Sequence, residues 1–275
     1  MSSANDSGEQ GLGTEGSRYT RLMATLRYPD FRVLWISTVS NQLGQGIQHV
    51  VLGWMVFNIT DSGGMVGVIF ALRSAPNLIV GFAAGSITDW LDRRTLMRVV
   101  AWGQMLVSIV LALLAFSGRL ELWHLMFLTF VLGTFHAFWT TARQVYVYDI
   151  VGPAGLMNGL ALTSLAQRVG GISGALIAGV LIGVWGSGSP FFAMAVSYAV
   201  GAIILYQLRY RGESAPEVRE PILQNAVNYL RTLRTNKTML SLMVSTAAAE
   251  ALGFSHQVVL PILAKDVLHV GAIGL

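Results

Sequence analysis

The sequence predicts an all-α polytopic membrane protein with about seven transmembrane helices. Three observations carry that expectation. Hydrophobic residues make up 53% of the chain and charged residues only 12%, against about 25% charged in a soluble domain. Apolar runs of about 20 residues, the length needed to cross a hydrocarbon core, recur along the chain. Arginine and lysine collect in alternate connections between these runs, as the positive-inside rule requires of loops that stay in the cytoplasm.

The remaining composition narrows the class. Mean hydropathy is +0.58 and the pI is near 9.6. In a soluble protein that pI points to nucleic acid; here the basic residues sit in connections, so no nucleic-acid partner is expected. The absence of cysteine excludes disulfides and thiolate metal sites. No cofactor or metal is expected, and no carboxylate or histidine cluster has catalytic spacing, so the chain does not read as an enzyme.

Residues 1–27 read as a disordered cytoplasmic tail, rich in Ser, Gly and Glu. Within them, Gly11 to Gly16 spells a dinucleotide-type glycine pattern, but no strand precedes it, and chance explains it. Arg18, Arg21, Arg27 and Arg32 then place the N-terminus inside. The expected spans are Arg32–Phe57, Met65–Ile87, Leu96–Phe116, Leu122–Val145, Gly159–Trp185, Pro190–Leu208 and Met239–Leu263. The first six form an expected bundle over 28–208. Residues 209–238 read as a cytoplasmic linker whose Ile222, Val227, Leu230 and Leu233 recur at helical spacing beside Arg231 and Arg234, a basic amphipathic helix on the membrane surface. Residues 239–275 read as a seventh span and the approach to an eighth.

The densest charge lies between the second and third spans, where Asp89, Asp92, Arg93 and Arg94 fall within six residues. Charges so close together cannot lie in hydrocarbon, so they mark a polar turn at a membrane face. Pairing them would neutralise the turn and pin two helix ends together.

Gly85, Ile87, Asp89, Arg93 and Arg94 fall in register with G-x-L-A-D-R-x-G-R-K, the pattern between the second and third helices of the major facilitator superfamily. Asp92 stands where that family usually has glycine. The variant D-x-x-D-R-R resembles the branch of enterobactin (siderophore) exporters and drug-efflux relatives. The resemblance covers about Tyr28 to Leu275. It implies twelve spans in two related halves, so this chain is expected to be the N-terminal half plus one helix, with the missing C-terminal half needed for function. It also implies that Asp149 joins the turn in a charge cluster; with Gly85, Asp89, Asp92, Arg93, Arg94 and Arg143 this is read as a conformational latch.

Helical periodicity gathers the polar residues inside the spans onto common faces. Asn41, Gln42, Gln45, Gln48 and His49 fall within an arc of roughly 120° on the first span, which fits a water-accessible cavity better than isolated interhelical hydrogen bonds. The second span adds Arg73 and Asn77. The fourth places His136 and Arg143 on one face, and the fifth carries Gln167 and Arg168. Asn41, Gln45, Gln48, His49, Arg73, Asn77, His136, Gln167 and Arg168 are therefore the expected substrate-cavity residues. Glu250, a carboxylate inside the seventh span, is the expected proton carrier, because burial raises a carboxyl pKa towards neutrality. Gly170, Gly174 and Gly179 are expected to serve close helix packing. They also match positions of the family's antiporter motif, G-x-x-x-G-P-x-x-G-G, although Ala175 replaces its proline and Ala178 one glycine.

The chain therefore reads as a secondary active transporter of the bacterial inner membrane that exports a small amphipathic molecule, of drug or siderophore type, in exchange for protons or another coupling ion. Its expected partners are the lipid bilayer, that substrate and the ion. No Walker-type phosphate loop is present to suggest ATP as the driver. Two other readings stand beside it: import of an organic anion through Arg73 and Arg168, and a non-transporting fragment.

Overall fold

The computed structural model describes residues 25–90, 92–210 and 235–254, with side chains omitted over 78–90 and at several positions of the last helix, Glu250 among them. The N-terminal tail, the amphipathic segment of the linker and the chain beyond Phe254 lie outside the described residues. At Gly85, Asp89 and Glu250 only the helical backbone is described.

Among the described residues every regular element is helical. A 3-10 turn (Thr25–Arg27) leads into α1 (Pro29–Thr60), which opens on a proline, the residue whose missing N–H costs nothing in a first helical turn. Helix α1 ends at Asp61, whose left-handed backbone (φ 51°) lets its N–H reach Phe57 O at 2.8 Å. Next come α2 (Gly63–Trp90), with Pro76 in its interior, and α3 (Arg93–Phe116), whose N-cap Asp92 accepts from the Arg94 N–H at 3.3 Å.

The helical stretch Leu122–Trp185 is broken once, at Gly152, into α4 (122–151) and α5 (153–185). The sequence predicts two spans here with a connection of about a dozen residues, 146–158. The structure replaces that connection with a one-residue break. Gly152 takes φ 65° and ψ 179°, a conformation that disfavours any side chain, and Pro153 restarts the helix without a donor to satisfy. The chain doubles back so tightly that Gly159 packs on Val147 and Val151.

Helix α6 (Ser189–Ile204) runs on through a 3-10 turn (Leu205–Gln207), and α7 (Lys237–Phe254) closes the described chain. Three stretches, Arg93–Phe116, Leu122–Trp185 and Ser189–Gln207, are long and apolar enough to cross a membrane. The broken one holds both α4 and α5. Helix α1 owes its lower hydropathy to the polar face read from its sequence.

Helix α1 is central, packed along α5 and α6 and against α2. Two apolar cores sit at opposite ends of the bundle. One gathers Phe31, Leu34, Met97, Trp139, Tyr146 and Leu205 at the arginine-rich end. The other gathers Val51, Val56, Ile69, Leu111, Leu125 and Phe191 at the far end. Between them the same helices turn polar, with Ser37, Asn41 and Gln45 on α1, Gln104 and Ser108 on α3, and Ser197 on α6 all buried.

Candidate functional site

The polar belt is built from α1 outward. Asn41, 1% exposed, donates to Gln104 Oε1 of α3 at 2.8 Å. An expected cavity residue is thus engaged in an interhelical amide pair, a contact typically worth about 0.6 kcal/mol in membrane bundles. One turn along, Gln45 is bonded at both ends of its amide. Its nitrogen donates to the Tyr198 hydroxyl of α6 at 3.0 Å, and its oxygen accepts from the Arg73 guanidinium of α2. Gln48 is 1% exposed, and neither its amide nitrogen nor its oxygen has a protein partner. The ring of His49 stacks on Phe70 with centroids 5.8 Å apart.

Arg73 is half-buried and held by Gln45, with its Nε buried and unpartnered. It can approach α4 closely because a glycine faces it: a Cβ on Gly133 would strike the Arg73 carbonyl oxygen. His136, on the same face of α4, lies within electrostatic reach of both Arg73 and Arg143, and its Nδ1 is buried without a partner. Arg143 is 3% exposed. With the Gln167 amide oriented oxygen-inward, that oxygen accepts from the Arg143 guanidinium at 3.1 and 3.0 Å.

The structure divides the other expected cavity residues. Asn77 and Arg168 are exposed, whereas Gln167 turns inward with Arg143. Tyr198 belongs to the belt and was missed by sequence; Gln104, which sequence shows as the main polar residue of the otherwise apolar third and sixth spans, belongs to it as well. The signal for Tyr198 is a large hydrogen-bonding side chain in the middle of a largely apolar span.

Close backbone packing supports the belt. A Cβ on Gly170 would meet Val39, Gln42 and Leu43 of α1, one on Gly174 would meet Leu43 and Ile47, and one on Gly46 would strike the Gly171 carbonyl. These glycines let α1 and α5 approach backbone to backbone, which small residues permit in apolar surroundings. Gly179 is buried further along α5.

A second cluster lies at the arginine-rich end. Arg93 ion-pairs with Asp149, joining α3 to α4. Asp92 caps α3, accepting from Thr95 Oγ1 at 2.8 Å, and lies 3.9 Å from Arg94. Arg143, expected in this cluster, is instead drawn to Gln167.

Residues outside the expected latch complete the cluster. Arg94 donates to Leu208 O at 3.2 Å, and Arg98 donates to Leu205 O at 3.1 and 2.9 Å while its guanidinium covers the Tyr206 ring at 4.6 Å. The Tyr146 hydroxyl donates to Tyr210 O at 2.6 Å, and the Asp30 carboxylate accepts from the N–H groups of Arg209 and Tyr210 at 2.9 and 3.0 Å. Three helices therefore grip the chain as it leaves α6. Among the described residues no group of three or more His, Asp or Glu side chains could hold a metal ion.

Residues 20–275 match the family model described as transmembrane secretion effector. The chain is 23% identical over 228 residues to the staphyloferrin A transporter of Staphylococcus aureus (strain NCTC 8325 / PS 47), an alignment covering 82% of this chain and 57% of that protein. It is 25% identical over 158 residues to YfiS of Bacillus subtilis (strain 168), an uncharacterized MFS-type transporter, covering 58% of this chain and 37% of the relative. The chain thus spans little more than half the length of the first of these relatives and less than half of the second. No solved structure matches.

Proposed function

This chain belongs to the transmembrane secretion effector family of major facilitator transporters, and from that premise we propose that it serves proton-coupled export of a small amphipathic molecule. It is a membrane transport protein and not an enzyme. The proposed location is the bacterial inner membrane, with seven spans in this chain and the N-terminus and arginine-rich end in the cytoplasm. Arginine asymmetry supports that orientation.

One observation carries the reading. A belt of buried polar side chains at mid-height, between two apolar cores, keeps hydrogen-bonding atoms of Gln48, Arg73 and His136 without protein partners. Polar groups in an apolar surround are costly, and where they persist inside a membrane bundle they mark substrate or ion paths. Midplane sites of this kind suit alternating access, in which one half of the molecule rocks against the other. The family description supports export over import, and the Staphylococcus relative supports a siderophore-type cargo. Glu250, by its position in the seventh span, is the proposed proton carrier, and the Arg93–Asp149 pair is the proposed latch of one conformational state.

Everted membrane vesicles containing the full-length protein test the proposal. Imposing a proton gradient should drive uptake of the exported compound into the vesicles, and Glu250→Gln should abolish gradient-driven uptake while leaving facilitated exchange. Unchanged gradient-driven uptake in the variant would remove Glu250 from the mechanism.

A further inference from the structure

The carboxylates of the first six helices and their connections are Asp30, Asp61, Asp89, Asp92, Glu121 and Asp149. None falls in the middle of a helix. Asp30 is committed to two backbone N–H groups and Asp149 to Arg93. Yet Arg73 and Arg143 are set into the bundle, and no carboxylate among the described residues is paired with either.

What holds these guanidiniums is in both cases a glutamine, Gln45 for Arg73 and Gln167 for Arg143. An amide oxygen can fix the direction of a guanidinium, but it carries no net charge and leaves the positive charge uncompensated. Each arginine also keeps its Nε buried and unpartnered, so each has donor capacity left. Gln48, 1% exposed with both amide atoms unpartnered, adds further capacity in the belt.

The two arginines are spread along the molecule. Arg73 is level with Gly133 on α4, and Arg143 lies ten residues further, about 15 Å along the helix axis. His136 sits between them, within electrostatic reach of both. The result is a ladder of donors running from mid-height towards the arginine-rich end.

We infer that the transported molecule is an organic polyanion bearing at least two carboxylates, received by Arg143 and passed to Arg73, each guanidinium being aimed by its glutamine and neutralised by the cargo. This rests on the export reading above, which supplies the order Arg143 then Arg73; the choice of an anion rests on the side chains alone. A planar guanidinium fits a carboxylate with two parallel hydrogen bonds, and in a low-dielectric surround such a pair discriminates sharply against uncharged analogues. The rival account is that Glu250 of α7 is a fixed counter-ion to Arg73, in which case carboxylic acids and their esters would bind alike.

The full-length protein in detergent, titrated calorimetrically with tricarballylate and separately with its trimethyl ester, provides the test. Tricarballylate is expected to bind at millimolar concentration, the ester not to bind, and Arg73→Gln and Arg143→Gln each to weaken tricarballylate at least about tenfold. Gln45→Glu, which supplies Arg73 with an internal carboxylate, should weaken it comparably. Equal binding of acid and ester, or no binding of tricarballylate, would overturn the inference without recourse to any variant. Efflux of the cation tetraphenylphosphonium with no anion binding would leave export standing and remove the anion. Anion binding without efflux from vesicles would do the reverse.

Discussion

Arg93, the first residue of α3, is ion-paired with Asp149 near the end of α4, and both side chains are almost entirely shielded, at 11% and 9% exposure. Two consecutive helices, joined directly only through residues 117–121, are thereby fastened at the same end at which Arg94, Arg98, Tyr146 and Asp30 hold the exit of α6. Removing one member of a shielded pair strands the other charge, which is the costly way to break it. Asp149→Asn should therefore destabilise the protein by about 3 kcal/mol, measured by thermal unfolding in detergent. The exchange Arg93→Asp with Asp149→Arg should recover most of that loss, and failure to recover any would show that the pair is not what holds these helix ends.

The α1–α5 contact gives a matched pair of substitutions. A Cβ at Gly174 meets backbone atoms of Leu43 and Ile47, which cannot rotate away, whereas one at Gly171 meets nothing within 4 Å. Gly174→Ala should cost about 1–3 kcal/mol as overpacking, and Gly171→Ala should stay within about 0.5 kcal/mol of the parent. Size-exclusion profiles after graded heating will rank the two, and equal behaviour would contradict the packing described.

Gln45 joins three helices through one amide, bonding Arg73 of α2 and Tyr198 of α6 from α1. Gln45→Leu leaves a guanidinium and a phenol without that partner, at about 1–3 kcal/mol for each stranded group. Tyr198→Phe strands a single group, the Gln45 amide nitrogen, so it should cost about 1–3 kcal/mol and less than Gln45→Leu, which strands two. A larger loss for Tyr198→Phe than for Gln45→Leu, by the same melting assay, would reverse the assignment of Gln45 as the hub.

Asp30 holds the start of the 209–238 connection through two backbone amides. Hydrogen exchange should show the Arg209 and Tyr210 amides protected in the parent and exposed in Asp30→Ala. Asp30→Asn, with one acceptor oxygen left, should retain part of the protection. Unprotected amides in the parent would show that this clasp does not form in solution.

Much of this was readable from periodicity. Apolar runs located six helices within a few residues at most ends, and the face shared by His136 and Arg143, seven residues apart and so about 20° from alignment, is present in the fold. A helical wheel gives direction within one helix but not the identity of the neighbour. Asn41 reads from sequence as one of a polar arc facing a cavity and Gln104 as a solitary polar residue of the third span; only the packing of α1 on α3 pairs them. The expected role of Arg168 could have been questioned from sequence. It lies two residues, about 200°, from Gly170, so it points away from the face that Gly170 and Gly174 press on α1, whereas Gln167 is only about 60° off that face. The tight α4–α5 reversal was hidden because residues 146–158 carry enough polar and small side chains to imitate a loop, although one glycine before one proline suffices for the turn.

That reversal leaves no slack. Ordinary loops absorb displacement by uncoiling, but α4 and α5 share a joint one residue long, so any tilt of α4 that moves Arg143 must be answered at Gly152 or carried into α5 and, through Gly170 and Gly174, into α1. The joint acts as a lever's fulcrum. A few flexible residues inserted between Gly152 and Pro153 should leave each helix folded and yet uncouple their movements, so this short stretch is a poor place for a tag and a good place to sever mechanical transmission.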